Sequence, residues 1–511
     1  MDRITVGLDF GTHQTKVCIE NKADVNNPEY SFFPFKDLEG NDNYILPSIV
    51  QINSDNTLSY GFVDEKRAKY GKKFIIGRRP KFPQKISVPT EDLEPMPTKP
   101  AILNSAPPTS GEQLERYKKA QKSYDTQLNL WRNKNNSLKK KHECAMKDAE
   151  ATYQAELKEW YLWQNTSQVD YRMIYRYFKQ STFSDYNWNC SLSSSYLSIW
   201  YICYIIFCLE EKYGQNFAIQ MGIPTGSDRF VQKKRRAVSI LLTAYHLVED
   251  VFKNDLERFL STPVDELEKL TKTNLIQFSE EKKQEYGLLV FPEAYAALKS
   301  LTAQNKIETG MNIMVDIGGG TTDITFFTIE NSCPKIHDYS SISYGLNYII
   351  EKATPHLKDK FDIDLNLNII DSQELSSVIS SYYQKLRECC EDLVEKLVKS
   401  FSKTGYPTST LTAALKKRPI VYSGGGSTYD FLRKPVSQFT DVIQINPKQW
   451  QGMNIKEISK LIDICPIVST ALGLAISEIH DDVELATTND IFKNTKAADW
   501  KKERPCPRWV K

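Results

Sequence analysis

The chain has 511 residues, a formal net charge of +2, and 41% hydrophobic and 25% charged residues. That length leaves room for more than one domain, and the near-neutral balance excludes a global field drawing the chain to nucleic acid or to a membrane. Ten cysteines are scattered without a paired Cys-x-x-Cys spacing, and Cys389-Cys390 suits a disulfide poorly, so reduced thiols in a cytoplasmic protein are expected.

In chain order, an apolar strand opens directly after Asp2 and Arg3, so no signal peptide is expected. It runs into Asp9-Phe10-Gly11-Thr12, with Thr15 and Lys16 following, and a second apolar run at 17–19 completes a strand–turn–strand hairpin. Leu46-Pro47-Ser48-Ile49-Val50 reads as the next short strand. Six prolines fall between Pro89 and Pro108, which marks a linker. From about 110 to 165 no Gly or Pro follows Gly111. Leu114, Tyr117, Gln121, Tyr124, Leu128 and Trp131 keep a three-to-four spacing. That is a long, coiled-coil-like helix or a helical hairpin bending near 133–137. It is either a strut packed on its own domain or an arm for a partner, with Trp131, Trp160 and Trp163 as interface aromatics. Lys139-Lys140-Lys141 reads as a solvated face.

The uncharged run 196–209 is short of the ~20 residues a membrane span needs and is read as a buried helix. A strand follows, ending at Pro224, and later the segment Phe291-Pro292-Glu293-Ala294-Tyr295-Ala296-Ala297. Then the opening pattern returns: Ile313-Met314-Val315-Asp316-Ile317 feeds Gly318-Gly319-Gly320-Thr321-Thr322-Asp323 and another apolar run. Glycine lets backbone N–H groups approach an anion with no Cβ in the way, threonine adds a hydroxyl, and the Asp before the turn can hold hydrated Mg²⁺. Two such loops facing each other would clamp a nucleotide triphosphate. Ile420-Val421-Tyr422-Ser423 feeds a third glycine turn, Gly424-Gly425-Gly426-Ser427-Thr428, and 466–476 is a run of small and apolar residues. The segment 493–511 carries seven basic side chains against Asp499 and Glu503, and reads as a disordered basic tail or a dock for an acidic partner.

The two hairpins resemble phosphate motifs 1 and 2 of the actin, Hsp70 and sugar-kinase ATPase superfamily. The segment 420–428 resembles its adenosine motif, 291–297 its first connecting helix, and 466–476 its closing helix. The five occur in family order. The resemblance implies an α/β, two-lobed actin-like fold of duplicated ribonuclease-H-like domains, with the helical stretch as an insertion. The expected layout is 1–95 for the phosphate-1 hairpin of the first lobe and 96–200 for linker and insertion. The rest of the first lobe follows at 201–310, the second lobe at 311–480, and the tail at 481–511. About 35 residues follow Ile476, too few for the Hsp70 peptide-binding domain.

The resemblance also assigns roles. Asp9 and Asp316 would hold Mg²⁺ through its water shell; Gly11, Thr12, Gly318, Gly319, Gly320 and Thr321 would face the phosphates. Gly425, Gly426 and Ser427 would approach the adenosine, with Tyr429 where Hsp70s place an arginine. Glu293 would orient the attacking water, although a helix-initial Glu is also favoured by the dipole. Lys73 would be the catalytic lysine, with Lys72 and Lys85 as rivals. His13 and Gln14 depart from the family pattern and put the hydrolysis rate in question. The expected function is an Hsp70-like, chaperone-related Mg·ATPase, slow or reduced to a pseudo-ATPase, that switches a protein partner through the insertion or tail. The alternative is an actin-like ATPase forming nucleotide-dependent filaments by self-association. A small-molecule kinase is least supported, because no acceptor carboxylate stands out.

Overall fold

The structure, a computed structural model, describes residues 4–70, 93–166, 173–183, 192–224, 230–302, 312–330, 333–342, 344–346, 348–349, 372–402, 418–436 and 441–478, with single positions 84, 188, 190 and 409. Lys72, Lys73, Lys85 and the basic tail lie outside the described residues, as do the side chains of Trp160 and Trp163. The chain is mixed α/β and divides into two compact units, Lys72–Tyr171 and the remainder, Met1–Gly71 with Arg172–Lys511.

The strands that matter are β1 (Ile4–Phe10), β2 (Gln14–Asn21), β3 (Glu29–Phe32), β4 (Phe217–Ile223) and β5 (Leu289–Pro292), then β6 (Asn312–Ile317), β7 (Thr322–Glu330), β8 (Cys333–Ile342), β9 (Ile420–Ser423) and β10 (Val442–Gln444). The helices are α1 (Glu112–Thr166), α2 (Phe178–Phe183), α3 (Ser194–Tyr213), α4 (Phe230–His246), α5 (Glu293–Thr302), α6 (Ser372–Ser402) and α7 (Cys465–Ala475).

In the larger unit, two sheets repeat one topology. β1, β2 and β3 form an antiparallel meander; β4 then joins β1 in parallel on its free side, and β5 joins β4. β6, β7 and β8 form the second meander, with β9 parallel to β6 and β10 parallel to β9. Parallel neighbours need a crossover, and in each sheet a long helix precedes the first parallel strand: α3 before β4, α6 before β9.

Alternation along the strands sorts side chains between cores. Val6, Leu8 and Phe10 enter a core shared with α3 and α4, and Ile313, Val315 and Ile317 enter one shared with α6. The opposite faces of both sheets meet a middle core built by α5 and α7, which takes Cys18 from β2 and Met314 from β6. By the same parity, Asp9 and Asp316 turn towards this middle layer. Here α7 lies backbone to backbone on its neighbours. A Cβ on Gly7 would fall 2.3 Å from the Ala471 carbonyl oxygen, and one on Gly473 would fall 1.7 Å from that of Ala296. The expected buried helix is α3, whose Trp200, Tyr201 and Ile202 are sealed in the core. Among the described residues, no helix is long and apolar enough to cross a membrane.

The smaller unit differs from a hairpin. Its 55-residue α1 is continuous through 133–137 and about 80 Å long. Asn135, in the stretch that the sequence offers as a turn, is buried instead. Its amide accepts from the Glu94 N–H at 3.0 Å and donates to the Glu94 carbonyl at 3.1 Å. Trp131 Nε1 donates to the same carbonyl at 2.7 Å, and Lys134 pairs with the Glu94 carboxylate. The proline-rich segment thus rides on the helix, and a 3-10 turn at Ala101–Asn104 buries Leu103. Extended segment and helix together supply the two limbs a helical hairpin would have supplied.

In the larger unit, Met173 N–H donates to the Lys69 carbonyl at 2.8 Å, and Ile174–Tyr175 pairs with Val50–Ile52. The larger unit therefore closes its own chain on either side of 72–171. Replacing 72–171 by a short Gly/Ser linker should leave a soluble core melting within a few degrees of the intact chain by circular dichroism. An insoluble product would show that the smaller unit is needed for the fold.

Candidate functional site

The site begins with the two turns that end β1 and β6. In the first, a Cβ on Gly11 would lie 2.1 Å from the Gln14 carbonyl oxygen, so the tight reversal needs glycine. Ser48 fixes this turn from the side, its Oγ donating to the Gly11 carbonyl at 2.8 Å and its N–H to the His13 carbonyl at 2.7 Å. In the second, Gly318 N–H donates to the Thr321 carbonyl at 2.9 Å. The turns meet: a Cβ on Gly319 would lie 2.1 Å from His13 Nδ1. The His13 ring also stands edge-on to Tyr177, with centroids 4.8 Å apart.

Four carboxylates share the field around these turns. Asp9, 6% exposed, is opposite Lys16 in the β1–β2 register and pairs with it at 2.7 Å. Asp316 is opposite Asp323 in the β6–β7 register. Burial first, then the charges of Asp323, Glu293 and Asp9, push the Asp316 carboxyl up to about 7. Burial also raises Asp323, although Ser341 and Thr321 donate to it, Thr321 Oγ1 at 3.2 Å. Glu293 begins α5 directly after β5, and its carboxylate is ion-paired with Lys179 on α2. Burial raises Glu293, the Lys179 charge opposes that rise, and Asp9 and Asp323 add to it. The cause all three share is burial, which disfavours the charged form; neighbouring carboxylates add to it at Asp316 and Glu293.

A third glycine turn comes from β9. Gly424 has φ +80°, and a Cβ there would fall 2.1 Å from Asp316 Oδ1, so this turn abuts the acidic end of β6. The 3-10 turn Gly425–Thr428 follows, held by Ser427 Oγ donating to the Gly424 carbonyl at 2.7 Å and by Gln444 Nε2 donating to the Ser427 carbonyl at 2.8 Å. Tyr429 closes it with its ring 5.5 Å from that of Phe431.

The structure therefore gathers Asp9, Gly11, Thr12, Glu293, Asp316 and the 318–321 turn, and sets the turn that holds Gly425, Gly426 and Ser427 beside the end of β6, with Tyr429 following it. Lys73 is outside the described residues. Three residues without an assigned role stand in the site. Asp323 and Lys16 were findable, since each faces an expected Asp across a hairpin. Lys179 was not, because nothing in Phe178-Lys179-Gln180 marks a site. Among the described residues, no three His, Cys, Asp or Glu side chains converge closely enough to ligate a metal directly. Compared with known proteins, the chain matches no protein-family model and no curated protein at a significant level.

Proposed function

We propose that the chain is an Mg·ATP-binding ATPase of the actin, Hsp70 and sugar-kinase type, its two sheets forming two ribonuclease-H-like lobes, and that it acts as a nucleotide-dependent switch on a protein partner. One observation carries this reading. The same strand order occurs twice, and each first strand ends in an Asp turned to the layer between the sheets, beside a glycine turn. Fold alone would not select a function; the paired acidic ends and touching glycine turns are what favour a nucleotide.

The residues present fit a magnesium ion that keeps its waters. The donors are all hard carboxylate oxygens spread over two sheets, Asp9 on one and Asp316 and Asp323 on the other. Asp9 and Asp316 would hold it, with Asp323 at the second row. When bound, it would neutralise phosphate charge. The chain's own groups do the rest. The Gly11–Thr12 and 318–321 turns offer backbone donors to phosphate oxygens, and the 425–427 turn receives the nucleoside. Glu293 would orient the attacking water. Its oxygen bonds to the γ-phosphorus, the bond to the ADP β-oxygen breaks, and ADP, phosphate and a proton are released. The smaller unit, with Leu130 and Met146 exposed on α1, is the surface assigned to the partner.

Glu293→Gln tests the chemistry. Single-turnover hydrolysis should fall about 100-fold, while calorimetric ATP affinity stays within about threefold. A variant as fast as the parent would remove Glu293 from the mechanism.

A further inference from the structure

We infer that Lys179 is the cation this site turns towards the transferred phosphoryl group, and that Glu293 holds it in place until the phosphate arrives. This rests on the reading of the site as one for ATP, and goes beyond it by naming a residue the sequence motifs do not reach. Lys179 is 3% exposed and sits on a helix of only six residues. Its Nζ pairs with Glu293 and lies 5.7 Å from the ring centroid of Phe10, the residue after Asp9. So Lys179 reaches the ends of β1 and α5 directly.

A buried lysine is unusual, and a buried ion pair is weak evidence for stability, since apolar residues of similar volume often serve as well. What distinguishes this pair is its anion. Glu293 is the carboxylate expected to orient the water, and Lys179 occupies its Oε1. Another lysine at the turns, Lys16, is held twice on its own hairpin, by Asp9 and by the Gln14 carbonyl at 3.3 Å. Lys179 has the compact, three-donor ammonium that suits a phosphate oxygen. An entering phosphate, carrying more charge than one carboxylate, draws Lys179 away; Glu293 is released at the moment a water is needed. The exchange moves no covalent bond and needs no co-reactant.

The test uses the full chain with Mg·ATP. Lys179→Met should lower single-turnover hydrolysis at least 100-fold. With the Glu293 counter-charge gone, the acidic limb of its pH–rate profile should also move to higher pH. Lys179→Arg should recover part of the rate. Because Lys179→Met leaves a buried carboxylate unpaired, Lys179→Met/Glu293→Gln is measured too. In that neutral background, removal of the lysine should still weaken ATP binding at least tenfold relative to Glu293→Gln alone. Wild-type turnover in Lys179→Met, or equal ATP affinity in Glu293→Gln and the double variant, overturns the role of Lys179 while the nucleotide site stands. An unsubstituted chain that does not bind Mg·ATP overturns both.

Discussion

Asp316→Ala is expected to weaken Mg²⁺-dependent ATP binding at least 100-fold, and Asp9→Ala to act in the same direction, both read by calorimetric titration. Unchanged titrations for both would sink the site. The isosteric Asp316→Asn carries a second, opposite expectation: the ligand-free protein should become more stable. The folded carboxyl is raised from its ordinary value to about 7 by burial and by Asp323, Glu293 and Asp9. The sign follows by linkage. Below about pH 4 Asp316 is protonated in both states and costs nothing. Between pH 4 and 7 the unfolded chain ionises while the folded one keeps its proton, so stability falls as pH rises. Above 7 the whole loss is in place, on the order of a few kcal/mol. Asp323 and Glu293, also raised, act with the same sign. The melting temperature of the ligand-free chain should therefore drop from pH 5 to pH 8, and Asp316→Asn should flatten that drop. A variant as unstable at pH 8 as the parent would mean that the carboxylates do not repel in the way described. Gain of stability with loss of binding is the trade expected of a site that holds like charges together for a ligand.

Gly473→Val is expected to be the most damaging single change in the core. A Cβ there would sit 1.7 Å from the Ala296 carbonyl oxygen, with the Ser300 nitrogen at 3.2 Å, so the obstacle is helix backbone, not a side chain that can rotate away. α7 would have to lift off α5, opening the middle core and carrying Glu293 out of place. A loss above about 4 kcal/mol is expected, seen as insoluble protein or a collapsed melting transition. A variant with parental melting and parental ATP affinity would show that the two helices are not in backbone contact.

Much of this was legible in the sequence because it depends on short periods. Alternation in β1 and β6 places Asp9 and Asp316 opposite the buried Val and Ile positions, and a hairpin register needs only a turn between two apolar runs. The small residues at 466–476 were read as a closing helix by resemblance, and its backbone contact with β1 and α5 is what the structure adds. What was not legible depends on distance along the chain or on a choice that local pattern leaves open. Lys179 and Glu293 are 114 positions apart, and a lysine's ordinary preference is for solvent, so no local signal predicts their burial together. The bend at 133–137 was open because a straight helix and a helical hairpin share one period. The Asn-rich stretch resembled a turn, but Asn135 uses its amide to hold an extended segment from elsewhere. Tyr429 stands where the resemblance places an arginine; that its ring packs on Phe431 could not be seen from its neighbours in sequence.

The seating of α7 on β1 also governs the order in which the molecule can be made. Gly7 is synthesised long before the Ala471 and Ala475 backbone it rests on. At ordinary synthesis rates of ~5–20 residues per second, roughly half a minute to a minute and a half separates them. Throughout that interval the inner face of the first sheet lacks its cover. The first sheet can collect its outer helices as they emerge, but the middle layer cannot close until α7 has been made. Folding of the core is thereby made a late, long-range event, with a high loop-closure cost and a prolonged exposure of apolar surface to other nascent chains.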